Sequence, residues 1–432
     1  MKCSKFKLIQ VALFLILGST SCAQKVNILP ENFTDSVMVH VNNLVRLSPR
    51  VAGTENERKA SEYVEESFQN LGLSTKIEQF NYSNFEFKNL TLSINNDTIS
   101  PTGLGYNPYN NITNFSDTAF IVDSKLSLDK IDKQNILGKP IISNDFTNHF
   151  KLLQFQPNLI IYIDSSEFAQ LKHIQKVYFE LCIEGSFVAK KSQNIVAQIS
   201  NSNPSKKEII IGAHVDSYRN SPGASDNASG VGVMIELARY LISIESNLNY
   251  IVKFIAFGAE EIGILGSRKY VLSNPQLKKK CILFFNIDDV GGNGLGAIET
   301  LGGVISPPPE FQDSLSLLLA GNPWEGNPDY WRGLLTPYLM GFLNTINHPD
   351  WLVSVTESAL GNSNYKLNFA RSLGGDEMSF SHAGIPSTGI GIPCDHPHTP
   401  LDKVEFINEN SLRKAGEISI RVILNTNNIK KD

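Results

Sequence analysis

His214, Asp216, Asp226, Glu260, Glu261, Asp288 and His398 are the residues of this sequence whose types and spacing could do chemistry. Apolar runs lead into most of them: EIIIGAHVDS into His214 and Asp216, YIVKFIAFGAEE into Glu260 and Glu261, and CILFFNIDD into Asp288. Asp226 lies in YRNSPGASDNASG, between the first of these runs and the helical stretch VGVMIELARYL. Open α/β sheets place ligands at the carboxyl ends of their strands, where such loops emerge, which makes the cluster a candidate metal site. Two histidines and three carboxylates suffice for two zinc ions if one carboxylate bridges them. Zinc accepts imidazole nitrogen and carboxylate oxygen at about 2.0–2.2 Å, and paired ions sit roughly 3.5–4 Å apart, a span that an aspartate covers.

Taken singly, each signal is weak. An Asp-Asn dipeptide is more often a turn or a helix cap than a ligand, and a Glu-Glu pair is normally a solvated surface. Glu260 and Glu261, however, end the apolar run IVKFIAF and precede GILGS, a poor place for idle charges. As neighbours they leave the backbone in different directions, so one can ligate while the other faces a water. Asp216, two residues beyond His214 in extended chain, lies on the same side and can hold the second nitrogen of that ring. His40, His149, His173, His348 and His382 read as surface or core residues, and His396 is the rival of His398.

The elements that must position these residues read as α/β. DSVMVHVNNLV forms a first helix. Thr54 and Glu57 make a capping box for a second, whose apolar face is Ala60, Tyr63, Val64, Phe68 and Leu71 and which Gly72 closes. LSTKIEQFNY and NLTLSI alternate as strands, and a last helix starts near Asn410. NIVAQI, EIIIGAH, YIVKFIAF, CILFFNI and STGIGIP supply the main strands. Strands alternating with helices imply a doubly wound, mainly parallel sheet with helices on both faces. Composition changes over 99–191, rich in Asn and Asp with short runs such as TAFIVD, KPIIS and LIIYI, which reads as an inserted lid or protease-associated-like module. The expected organisation is a signal at 1–22, the two parts of the main domain at 26–98 and 192–432, and the insert at 99–191. The Pro- and Trp-containing stretch between Leu301 and Leu373 reads as loops and helices roofing the site.

With 432 residues and 41% hydrophobic content the chain is globular and suits one large α/β domain carrying an insertion, or two domains. Its 38 basic and 43 acidic residues give a formal net charge of -5 with no long run of either sign, which argues against a nucleic-acid partner. Lys2, Lys5 and Lys7, the apolar LIQVALFLIL and the small-residue stretch GSTSCA form an export signal. Cys22 is placed as the lipid acceptor of a bacterial lipoprotein, with Ser19 where such motifs usually carry Leu; the rival is ordinary cleavage after Ala23. Either way the protein is expected to be exported, periplasmic or in the cell envelope. Past the signal only Cys182, Cys281 and Cys394 remain, too few and too odd in number for a disulfide framework.

The pieces GAHVDS, GASDNASG, FGAEEIGILGS, NIDDVGG, GIP and PHTPLD, in that order and over most of the chain outside the insert, resemble the co-catalytic zinc aminopeptidases that include bacterial leucyl aminopeptidase. Glutaminyl cyclases are single-zinc relatives of that family. Carried over residue by residue, the resemblance makes Asp226 the bridge between two zinc ions. It makes His214 and Asp288 ligands of one, Glu261 and His398 ligands of the other, and Glu260 the general base acting on a metal-bound hydroxide. The choice of Asp288 over Asp289 follows the register NxD, and that of His398 over His396 the pattern His-Thr-x-x-Asp. The implied activity is removal of residues from peptides with a free N-terminus. Alternatives are a one-zinc glutaminyl cyclase, against which DNASG stands as the peptidase form, and a binding protein that lost catalysis, which should have eroded the ligands. One departure concerns the substrate side: Gly375-Asp376-Glu377-Met378-Ser379-Phe380 stands where the family reads Ser-Asp-His-x-x-Phe, so Glu377 replaces the histidine.

Overall fold

A computed structural model describes residues 28–106, 113–123, 133–144, 152, 155, 157–199, 207–294, 296–301, 348–361, 363–369 and 375–429. The export signal, Cys22, His149 and the 302–347 part of the expected roof lie outside the described residues. The described strands are β1 (Ser74–Ile94), β2 (Asp97–Ile99), β3 (Gly103–Tyr106), β4 (Thr113–Ile121), β5 (Ile141–Ser143), β6 (Ile160–Tyr162) and β7 (Lys176–Gln198). They continue with β8 (Glu208–His214), β9 (Ile251–Phe257), β10 (Cys281–Ile287), β11 (Ala297–Leu301), β12 (Lys366–Phe369) and β13 (Ser387–Gly391). Among the described residues no helix is long and apolar enough to cross a membrane.

The centre of the sheet runs β13, β10, β8, β9, all parallel. Every residue of β8 and β10 is buried, as strands covered on both faces require. Alternate side chains divide between two cores. Ile209, Ile211 and Ala213 face helices Phe33–Val45, Glu55–Asn70, Gly230–Ser243, Asp350–Leu360 and Glu409–Asn427, whereas Ile210 and Phe284 face Leu265–Ser273 and Glu377–His382. Phe284 and Phe380 stack at 3.8 Å between ring centroids on the second face.

The sheet as a whole is mixed: the parallel centre that the sequence led us to expect is flanked by antiparallel pairs. β9–β7, β7–β1 and β13–β11 are antiparallel, and so are β4–β7 and β3–β6. Strand direction follows from how the connections cross the sheet, and local periodicity carries no trace of it. LSTKIEQFNY and NLTLSI also belong to one strand, β1, because it pairs with β7 from Ser74↔Gln198 to Ile94↔Phe179. A second apolar core, including Leu92, Ala119, Ile142, Ile161, Phe168, Phe179 and Ile183, gathers around β4, β5 and β6. β7 contributes to both cores, Ile195 and Ala197 to the first and Val177 to Ile183 to the second, and the expected boundary at 191/192 falls inside this strand.

Candidate metal centre

His214 is the last residue of β8, and Val215 still bonds to the strand beside it through its N–H to Phe257 O at 2.8 Å. Beyond it the chain leaves the sheet in a loop held from below by Arg50. The wholly buried guanidinium donates to the carbonyls of Val215, Pro222 and Gly223 at 2.9 Å each, and burial pulls its pKa down to about 10 against the opposing pull of Asp216. Asp226 follows at the entrance to helix Gly230–Ser243 with φ -111° and ψ 91°, and its peptide to Asn227 is cis. Gly230 is needed at the helix start, since a Cβ there would sit 2.3 Å from Ile287 O. That approach, with Asn227 Nδ2 donating to Ile287 O at 2.9 Å, places Asp226 against the end of β10 where Asp288 stands. Gly292 does the same for the last loop: a Cβ would fall 2.0 Å from Pro393 O, in the segment leading to His398.

These constraints bring His214, Asp226, Glu261, Asp288 and His398 together. His214 Nε2 lies 3.1 Å from Asp226 Oδ1 and 3.1 Å from Asp288 Oδ1. His398 Nε2 lies 3.1 Å from Asp226 Oδ2 and 3.2 Å from Glu261 Oε2. In each triple the ligand atoms lie within 4.8 Å of one another, and Asp226 belongs to both, one oxygen turned to each. Asp289 points away, its carboxylate accepting from Ser225 Oγ and from Cys394 N at 3.2 Å. Glu260 belongs to neither triple. His396 is exposed and outside both, while His40 is buried on Tyr63 and Glu236.

The electrostatics show what such a cluster asks for. Burial works against charge on His214, yet Asp288, Asp216 and Asp226 drive its imidazole well above the usual histidine range. Burial opposes charge on His398 too, and Asp226 and Glu261 nonetheless push it to about 11. Glu261 rises to about 7, first through burial and then through Asp226. Among the described residues no lysine or arginine pairs with Asp226, Asp288 or Glu261, and Glu261 Oε1 is buried without a hydrogen-bond partner. Without another cation, the histidines must take protons to balance the carboxylates. Divalent ions would supply that charge and leave the rings neutral, so these residues fit a metal pair.

Asp216 does more than its spacing suggested. Its Oδ1 is 3.6 Å from His214 Nδ1, whereas its own backbone carbonyl is at 3.2 Å. The carboxylate also accepts the backbone N–H groups of Glu260 and Glu261 at 3.0 and 3.1 Å. A second buried acid supports the same turn. Glu57, 1% exposed, accepts from Ala259 N at 3.0 Å, Ser192 Oγ at 2.7 Å and Gly53 N at 2.7 Å. Burial first, then Asp216, raises its pKa to about 8. Ala259 has φ +55°, in the left-handed region that a residue with a Cβ occupies only when its surroundings hold it. Thr54 does cap Glu57 N as expected, but the Glu57 carboxylate turns inward instead of closing the box.

Asp402 is a third support, accepting Ser225 N at 2.7 Å and Asp226 N at 3.1 Å. PHTPLD contained it, but only as part of a pattern. Glu377, standing in for the histidine, is buried and accepts from Asn286 Nδ2 at 2.8 Å; its neighbour Asp376 is wholly buried, which lifts its pKa to about 7.

Residues 194–303 match the family model described as Peptidase family M28, a span that holds His214, Asp216, Asp226, Glu260, Glu261 and Asp288 but not His398. The chain is 28% identical over 414 residues to Aminopeptidase YwaD of Bacillus subtilis (strain 168), covering 86% of this chain and 80% of that one. A 112-residue stretch is 38% identical to an aminopeptidase of Pseudomonas aeruginosa (strain UCBPP-PA14), 25% of this chain and 20% of the other. Among solved structures, BSAP, a zinc aminopeptidase from Bacillus subtilis, aligns with a TM-score of 0.61 at 22% identity over 90% of this chain and 94% of that one. That likeness shows a shared fold.

Proposed function

We propose that this chain, a member of peptidase family M28, is an exported zinc aminopeptidase that removes residues from the N-terminus of peptides. The observation that carries the reading is the Asp226 carboxylate, which turns one oxygen to His214 and the other to His398. His214, Asp226 and Asp288 would hold one zinc ion, and Asp226, Glu261 and His398 the other. Such ions, when bound, polarise a carbonyl and make hydroxide available near neutral pH.

The remaining work falls to the chain itself. Glu260 is left out of both triples and can take the proton of the attacking water on its carboxylate, then pass it to the leaving amine nitrogen. In the ion-free protein burial first, then Asp376, Glu261 and Asp288, hold its pKa well above the carboxylate range, and the charge of bound ions would draw it down toward the range in which it accepts a proton. Asp216 aims it by gripping the backbone of both glutamates. Asp216→Asn is therefore expected to lower kcat by about 10- to 100-fold, the range typical of groups that orient a metal site. An unchanged rate and zinc titration would remove Asp216 from the machinery.

Zinc uptake should also release protons. In the ion-free protein His398 holds its proton up to about pH 11 and His214 is raised in the same direction, whereas a ligating ring carries none on that nitrogen. At about pH 7.5 uptake must displace these protons, so affinity falls as the pH falls. Adding zinc to weakly buffered, stripped protein should acidify the solution by at least one equivalent per ion, and an unchanged pH would contradict the assignment of the two rings.

The activity is tested with a panel of aminoacyl anilides and dipeptides, each with a free or an acetylated α-amine. Hydrolysis of the free-amine members only, lost on chelation and restored by zinc, is the expected result. Hydrolysis indifferent to the acetyl group, or cyclisation of N-terminal glutamine by a one-zinc protein, would overturn it. Export rests on the Lys2–Ala23 signal, with Cys22 as the lipid anchor. The mass of the mature N-terminus decides between a lipidated Cys22, which we favour, and cleavage after Ala23.

A further inference from the structure

The two histidines of the centre are held in different ways. His214 is 1% exposed, ends a central strand, and has its Nδ1 at 3.2 Å from the carbonyl of Asp216, so its ring plane is set by backbone. His398 has a side chain 47% exposed and sits in a loop at φ +61°, a left-handed conformation that needs outside support. Its Nε2 meets Asp226 and Glu261, and among the described residues no hydrogen bond to its Nδ1 is present. A ring held at one atom can still swing about that contact.

What lies on its face is Tyr218. The two rings stack with centroids 4.7 Å apart and planes within 20°. Tyr218 is 40% exposed, so burial does not account for its place over the imidazole. It stands on the loop that Arg50 clamps through Val215, Pro222 and Gly223, which gives the stack a fixed base. An imidazole that ligates a cation is electron-poor, and the electron-rich face of a phenol ring is a favourable partner for it.

We infer that Tyr218 is a positioning residue for His398: its stacked ring fixes the imidazole plane and so sets how tightly the Asp226–Glu261–His398 position keeps its ion. The inference rests on the metal reading proposed above. It concerns a face of the ring, and the phenol hydroxyl has no part in it.

The experiment is a zinc titration of the stripped full-length protein against a chromophoric chelator, for wild type, Tyr218→Ala, Tyr218→Phe and His398→Ala. Wild type should take up two equivalents. In Tyr218→Ala one equivalent keeps its affinity while the other weakens by roughly 3- to 10-fold, the size of an aromatic stacking contribution. Tyr218→Phe should match wild type, and His398→Ala should lose the same equivalent that Tyr218→Ala weakens. Wild-type affinities in Tyr218→Ala, equal weakening of both equivalents, or failure of Tyr218→Phe to restore binding would each overturn the inference. A wild-type protein that takes up no zinc would instead overturn the metal reading itself, and this inference with it.

Discussion

Asp226→Ala is expected to abolish turnover and to leave the purified protein without stoichiometric zinc. The substitution removes Oδ1 from beside His214 and Oδ2 from beside His398, so each triple falls to two protein ligands at once. Catalytic zinc sites ordinarily keep three protein ligands, and two are too few to retain the ion through purification. The backbone should survive the change, because Asp402 holds Asp226 through its N–H and Asn227 is tied to Ile287 O independently of the lost side chain. Asp288→Ala makes a useful contrast, since it touches one triple only and should cost one ion. Metal analysis by mass spectrometry alongside kcat decides the matter: full zinc and near-normal turnover in Asp226→Ala would rule out a shared carboxylate.

Glu260→Gln should separate chemistry from metal binding. The amide keeps the shape and a hydrogen bond but cannot accept the proton of the attacking water, so kcat should fall by about 10²- to 10⁴-fold with little change in KM. Both zinc ions should stay, because Glu260 lies outside both triples. Glu261→Gln is the opposite case. Its Oε2 lies 3.2 Å from His398 Nε2 and its Oε1 is buried with no partner, so the neutral amide should lose the ion at that position. Zinc lost in Glu260→Gln and kept in Glu261→Gln would show the two roles reversed.

The residues that meet at this centre were legible because three of them end or follow apolar strands and their order along the chain matches a motif. Apolar strand ends in a buried sheet leave little room for charge without a purpose, so His214, Glu261 and Asp288 stood out locally. What supports them was not legible. Glu57 reaches Ala259 across 202 residues and Asp402 reaches Asp226 N across 176, each through a backbone N–H that no side-chain pattern announces. The spacing of Asp216 brings its Oδ1 within 3.6 Å of His214 Nδ1, but spacing carries no trace of the Glu260 and Glu261 N–H groups that the same carboxylate accepts. Arg50 reads in sequence as one more basic residue, and only the loop carbonyls converging on it explain its burial. Tyr218 gave no signal at all. For the fold, apolar runs located the strands, whereas the antiparallel edge beyond β9 and the unbroken length of β1 depend on pairing with β7.

Anomalous scattering at the zinc edge, from a crystal of the zinc-loaded protein, tests the central claim most directly. A dinuclear centre built on Asp226 requires two peaks roughly 3.5–4 Å apart, one between His214 and Asp288 and the other between Glu261 and His398, with the Asp226 carboxylate between them. One peak, or two that do not share Asp226, would contradict it.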